Sequence, residues 1–200
     1  MLSDYGDWAG CDIPQAQARR AERTAEMRAR GPELARSFDI IHGHFIADKY
    51  DGLFAKPEYV AFFRDPYQQA IAHYYFLLRN PERPHPEERI FHEEKMTLLD
   101  YLEWPAFRDH QTQFLVSRTI EDLSMVGISS AFPQSLAMFG AIFGVDLGEE
   151  RFFNVNAERR GPYEITGAVK KAIETYRAAD IELYRKAVEI FRKQAISVAV

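Results

Sequence analysis

Short apolar runs alternate along this 200-residue chain with longer stretches in which apolar residues recur at helical spacing. Ile40-Ile41, Tyr59 to Phe63 and Met125 to Ile128 are rich in β-branched and aromatic residues, the first two bounded by Gly, Pro and Asp. Such runs predict fully buried strands. After the second run, Asp65 suits an N-cap, Pro66 the first helical position, and Gln68 follows three residues after the cap. Ile71, Tyr74, Tyr75 and Leu78 then repeat along one predicted helical face. Helices are also predicted over Gln15 to Arg30, ended by Gly31-Pro32, over Thr97 to Trp104, ended by Pro105, and over Phe107 to Arg118. Phe132 to Phe143 reads as an apolar helix. A long helical stretch runs from Thr166, with Val169, Ile173 and Tyr176 and then Ile181, Tyr184, Val188 and Phe191 inward. Met1 to Pro14 reads as irregular, with Tyr5 and Trp8 as anchors, and Asn80 to Pro86 as an exposed proline-rich loop.

Strands interleaved with helices make this an α/β chain. Its length fits one domain, 1–200, divided into an N-terminal helical segment (1–37), a sheet core (38–164) and C-terminal helices (165–200). A hydrophobic fraction of 46% and an aromatic fraction of 14% are those of a globular protein. A net charge of −5 argues against broad nucleic-acid or anionic-membrane binding, since both partners favour a basic face. The single cysteine, Cys11, has no intrachain partner, and the opening residues carry no signal-peptide pattern. No apolar run is long enough to span a bilayer. A cytoplasmic location is the expectation.

The chemistry-bearing residues sit where the predicted strands end. His42-Gly43-His44 follows the first run and Arg64-Asp65 the second, and ligands in open α/β sheets bind beyond the carboxyl ends of strands. A histidine titrates near neutrality and can act as a base. An arginine is permanently charged and grips phosphate with two parallel bonds. A helix N-terminus beside it favours an anion. Bland readings stand next to these. The histidines could be structural, or a metal pair with Asp48 and Asp51, although that donor set is incomplete and no metal is expected. Arg64 could be a structural partner of Asp65 or Asp39. His85 and His92 read as surface residues. The arginines of the first helix read as a solvated face.

Arg64-Asp65-Pro66 followed by Ala72-His73-Tyr74-Tyr75 resembles the R-D-P-x-x-R-x-x-S-x-Y-Y signature of the Golgi-type carbohydrate sulfotransferases. His42-Gly43-His44-Phe45 is similar to the H-G-H segment of the uronosyl 2-O-sulfotransferases among them. Gln111 to Leu115 resembles their N-x-Q-T-R-x-L run, with Gln113 in place of arginine, and Asp180 to Tyr184 their D-x-x-L-Y element. The resemblance covers about Phe38 to Phe191.

It implies a three-layer sandwich of the P-loop-NTPase type with a small, incomplete parallel sheet flanked by helices. The activity implied is sulfuryl transfer from 3′-phosphoadenosine 5′-phosphosulfate (PAPS) to a hydroxyl of a glycan or small molecule. His44 is then the base, with His42 second, and Arg64 holds the 3′-phosphate. Arg159, Arg160 and Gly161 lie in the basic loop that closes over the nucleotide, though two arginines before Gly-Pro equally suit an exposed turn. The pattern departs from the family at Ala72, which replaces the serine, and at Gln69, which replaces the second arginine. Nothing matches the P-K-T-x-G-T-S loop that cradles the 5′-phosphosulfate. The opening residues read instead as the end of the helix that would follow it. A catalytically degenerate nucleotide- or ligand-binding protein is therefore the alternative to an enzyme, with a metal-dependent hydrolase third.

Overall fold

The computed structural model describes residues 1–5, 14–82, 86–115, 118–146 and 161–198. Four short strands are present, β1 (Leu2–Asp4), β2 (Ile41–Gly43), β3 (Val60–Phe63) and β4 (Met125–Ile128), with eight helices among the described residues. These are α1 (Pro14–Ala29), α2 (Gly31–Ser37), α3 (Pro66–Arg79), α4 (Pro86–Glu93), α5 (Leu98–Glu103), α6 (Phe132–Phe143), α7 (Gly167–Tyr176) and α8 (Ala178–Ser197). β1 pairs with β2 and β3 with β4, both in parallel. Parallel neighbours need crossovers, and helices supply them. The chain is thus α/β.

Three of the strands follow the apolar runs, but β1 was not expected. Leu2–Asp4 is a strand in register with Ile41–Gly43, where the sequence suggested irregular chain and the tail of a helix. Three residues carry too little periodicity to signal a strand, and the pairing with β2 decides the matter. Full burial holds only for β4. β2 is half-buried throughout, and Phe62 of β3 is exposed.

Local signals set the helix starts. Asp65 accepts the Gln68 amide at the head of α3. Thr97 and Asp100 form a reciprocal capping box on α5, and Thr166 caps α7. Gly144 ends α6 in the left-handed conformation at φ 66°. The inward stripe of α3 is Ala70, Ile71, Tyr74 and Leu77, while Tyr75 and Leu78 face outward. The C-terminal helical stretch breaks at Arg177 into α7 and α8.

Phe107 to Arg118 corrects a second expectation, because the described part is no continuous helix. Short 3-10 turns at Pro105–Phe107 and Thr112–Leu115 flank Asp109, which takes a left-handed φ of 40°. Tertiary bonds take the amides that a helix would use. Asp180 accepts from Gln111 N at 3.1 Å and from Thr112 N at 2.7 Å, and Asp109 in return accepts from Asp180 N at 3.1 Å.

Three apolar clusters hold these elements. One joins β3, β4, α6 and α8 through Phe63, Met125, Val126, Met138 and Phe191. Another joins α3, α4, α5 and α7 through Ile71, Leu77, Phe91, Tyr101, Phe107 and Ile173. The third places Met27 and Leu34 under Tyr50. None of the helices is long and apolar enough to cross a membrane, among the described residues.

Candidate functional site

His42 and His44 occupy the carboxyl end of β2, and the glycine between them has a steric cause. Gly43 has φ 148°, and a Cβ there would lie 1.7 Å from the carbonyl oxygen of Asp4. Only glycine allows the β1 backbone to approach so closely. His42 is half-buried, with Ser3 Oγ 2.7 Å from its Nε2. His44 is exposed, its ring 5.2 Å from Tyr5 and 6.0 Å from Phe114 between centroids.

Arg64 leaves β3 half-buried, and its backbone is gripped from the side. The Gln111 carboxamide accepts from Arg64 N at 2.8 Å and donates to Arg64 O at 2.9 Å. The α3 N-terminus beside it offers less to an anion than its position suggests, because the Asp65 carboxylate already takes the Gln68 amide. Gln69, at the position of the resembled family's second arginine, turns its Nε2 toward His110 Nδ1 at 3.3 Å. The Gln68 side chain bonds both N and O of Tyr163, at 2.7 and 3.1 Å, tying α3 to the segment after Gly161. Gly161 itself is exposed in a turn at φ 92°. Arg159 and Arg160 lie outside the described residues, as do His85, Cys11 and Trp8.

The segment 109–114 brings these two strand ends into one neighbourhood. Gln111 holds Arg64, Phe114 touches His44, and His110 between them faces His73 of α3 at 5.0 Å. His110 is buried, and its ionisation is pushed well below the usual histidine range. Burial is the main cause, followed by repulsion from His73, Arg177 and His44. It is therefore neutral near pH 7, with the Gln69 carboxamide against its Nδ1 at 3.3 Å. Behind it, Arg177 is fully buried and donates to Tyr101 Oη at 3.2 Å. The Tyr101 hydroxyl also lies 2.8 Å from His73 Nδ1. The carboxyl of the buried Asp180 is raised by its burial, against the donors of Thr112 and Gln111 and the charge of Arg177.

His110, His73 and Gln111 carried no assigned role in the sequence reading, although Gln111 and His73 fall inside the two family-like runs. A lone histidine gives no sign of its surroundings until α3, α7 and the 109–114 turn meet. His92, expected on the surface, is half-buried against Phe91. Arg19 and Arg23, expected to be solvated, pair with the buried acids Glu87 and Asp4. Asp51 takes the Tyr59 hydroxyl at 2.7 Å and pairs with Arg118. Among the described residues no three His, Cys, Asp or Glu side chains are grouped to hold a metal ion. Lys49 is fully buried, with Nζ 2.6 Å from Asp4 Oδ2.

No family model matches this chain, and neither a curated protein nor a solved structure does.

Proposed function

We propose that the chain is a PAPS-dependent sulfotransferase acting on a hydroxyl of a carbohydrate or similar acceptor, on a P-loop-NTPase-like three-layer sandwich. The observation that carries this reading is the meeting of two parallel-strand ends, one bearing His44 and the other Arg64, on a single turn, 109–114. A base and a phosphate-gripping cation brought to one turn meet two of the three demands of sulfuryl transfer, the third being a cradle for the 5′-phosphosulfate.

PAPS is the sulfuryl donor. His44 takes the acceptor's hydroxyl proton while the acceptor oxygen forms its bond to sulfur. The bond from sulfur to the bridging phosphate oxygen breaks, and its electron pair leaves with 3′,5′-adenosine bisphosphate. Arg64 holds the 3′-phosphate. With Gln69 committed to His110 and Ala72 lacking a hydroxyl, Arg64 carries that grip without the two side chains the family pattern would add. The same substitutions favour the second reading, a nucleotide- or ligand-binding protein that has lost the transfer step.

Calorimetric titration with 3′,5′-adenosine bisphosphate tests both. Saturable binding that weakens about tenfold or more in Arg64→Met is expected, the value of one charge-assisted contact. Absence of binding refutes both nucleotide readings. Where binding holds, transfer of labelled sulfate from PAPS to uronosyl glycans separates them. An enzyme loses turnover in His44→Ala with nucleotide affinity kept, and unchanged turnover rejects His44 as the base.

A further inference from the structure

We infer that Gln111 is a positioning residue for Arg64 and that Asp180, at the start of α8, holds Gln111 in place. The inference rests on the reading of Arg64 as the residue that grips an anion. A strand that ends at Phe63 leaves the next peptide without a ladder partner. The Gln111 carboxamide meets the Arg64 N–H and C=O together, at 2.8 and 2.9 Å, as a neighbouring strand would. One amide group holding the N–H and C=O of a single residue fixes the two peptides that flank it, and with them the φ and ψ that set the direction in which the Arg64 side chain departs.

Gln111 is itself anchored through its backbone. Asp180 Oδ2 accepts from Gln111 N at 3.1 Å, while Oδ1 accepts from Thr112 N at 2.7 Å and Thr112 Oγ1 at 2.8 Å. Asp109 Oδ1 accepts from Asp180 N, closing a reciprocal pair of caps between the turn and α8. With Asp180 almost fully buried, water is a poor substitute for any of these bonds. The break between α7 and α8 thereby reaches the anion-holding residue through three links: Asp180, Gln111 and the Arg64 backbone. The resembled family's R-D-P signature names the arginine, but nothing in that signature supplies the partner that orients it here.

The molecule provides its own control. Gln194 of α8 makes a similar grip at β4, accepting from Val126 N at 3.0 Å and donating to Ser124 O at 3.3 Å. Gln111→Met and Gln194→Met therefore remove equal chemistry from two places. Affinity for 3′,5′-adenosine bisphosphate is measured by calorimetry and the exchange of the Arg64 amide by NMR, both on the full chain. Gln111→Met is expected to lower affinity about tenfold and to speed Arg64 exchange by a similar factor, and Gln194→Met to change neither. Unchanged affinity in Gln111→Met overturns the inference, and so does an equal loss in Gln194→Met, which would mark a general loss of stability. If the unaltered chain binds no bisphosphate, the functional reading falls by itself. Arg64 exchange then decides the positioning role alone, faster exchange in Gln111→Met upholding it and unchanged exchange ending it. Should Gln111→Met fail to fold, Gln111→Asn, shorter by one methylene, is measured in the same way.

Discussion

Replacing Gly43 by alanine should detach β1 from the body of the protein. The new methyl carbon would lie 1.7 Å from the Asp4 carbonyl oxygen and 2.4 Å from its carbon, both backbone atoms that no rotamer change can move aside. Ordinary contact needs about 3.5 Å, so the strands must part by well over an ångström. Separation on that scale ends a hydrogen bond such as Leu2 N to Ile40 O, now 2.8 Å. The backbone at φ 148° adds strain of about 1–3 kcal/mol for a residue with a Cβ. Each lost bond of the β1–β2 pairing adds about 0.5–1.5 kcal/mol. Together these amount to about 3–5 kcal/mol. At 2–4 °C per kcal/mol for a chain of this size, Tm should fall by roughly 10 °C. Thermal unfolding followed by circular dichroism reads that shift, and amide exchange at Leu2 reads the detachment. A Tm within about 2 °C of the unaltered protein, with Leu2 still protected, would refute the claim that close approach of β1 requires this glycine. The same experiment bears on the site, because His42 and His44 flank the contact and Ser3 reaches His42 from the detached strand.

Acid should destabilise the fold through His110. Its folded-state ionisation is depressed, so the unfolded chain binds the proton first, and stability is lost as pH falls below about 6.5 toward the lower folded value. Denaturant unfolding at a series of pH values should show that slope, and His110→Phe, which cannot take the proton, should flatten it. The charges and dipoles bearing on this histidine are His73 and Gln69 of α3, Arg177 at the α7–α8 break and His44 after β2. An unchanged slope in His110→Phe would assign the acid sensitivity elsewhere. Asp65→Ala should cost about 1 kcal/mol by removing the α3 cap, read from chemical denaturation. It also frees the Gln68 amide, so bisphosphate affinity should rise or hold rather than fall, and a tenfold loss would show that Asp65 serves the site directly.

How much of this was legible beforehand varies with the range of the interactions involved. Asp65 capping Gln68 is a contact within a few residues and stands as its residues suggest, and the Thr97–Asp100 box and Gly144 ending α6 are equally local. The apolar runs at Tyr59 to Phe63 and Met125 to Ile128 became paired parallel strands because their burial pattern leaves few other conformations. His44 and Arg64 stood out for the same reason, as polar residues at the ends of such runs.

Long-range bonds decided the rest. Phe107 to Arg118 has helical spacing, yet Asp180, far along the chain, takes two of its amides and Asp109 turns left-handed to return the bond. β1 has three residues and exists because β2 accepts it. Lys49, Arg177 and Asp180 are charged residues that local pattern places outside, and tertiary contacts bury them against Asp4, Tyr101 and the 111–112 amides. Local pattern therefore determined where elements begin and which residues could do chemistry. Only the packed structure decided which partners hold Arg64, what surrounds His110 and why the residue between the two histidines is glycine, since each depends on atoms brought together from distant parts of the chain.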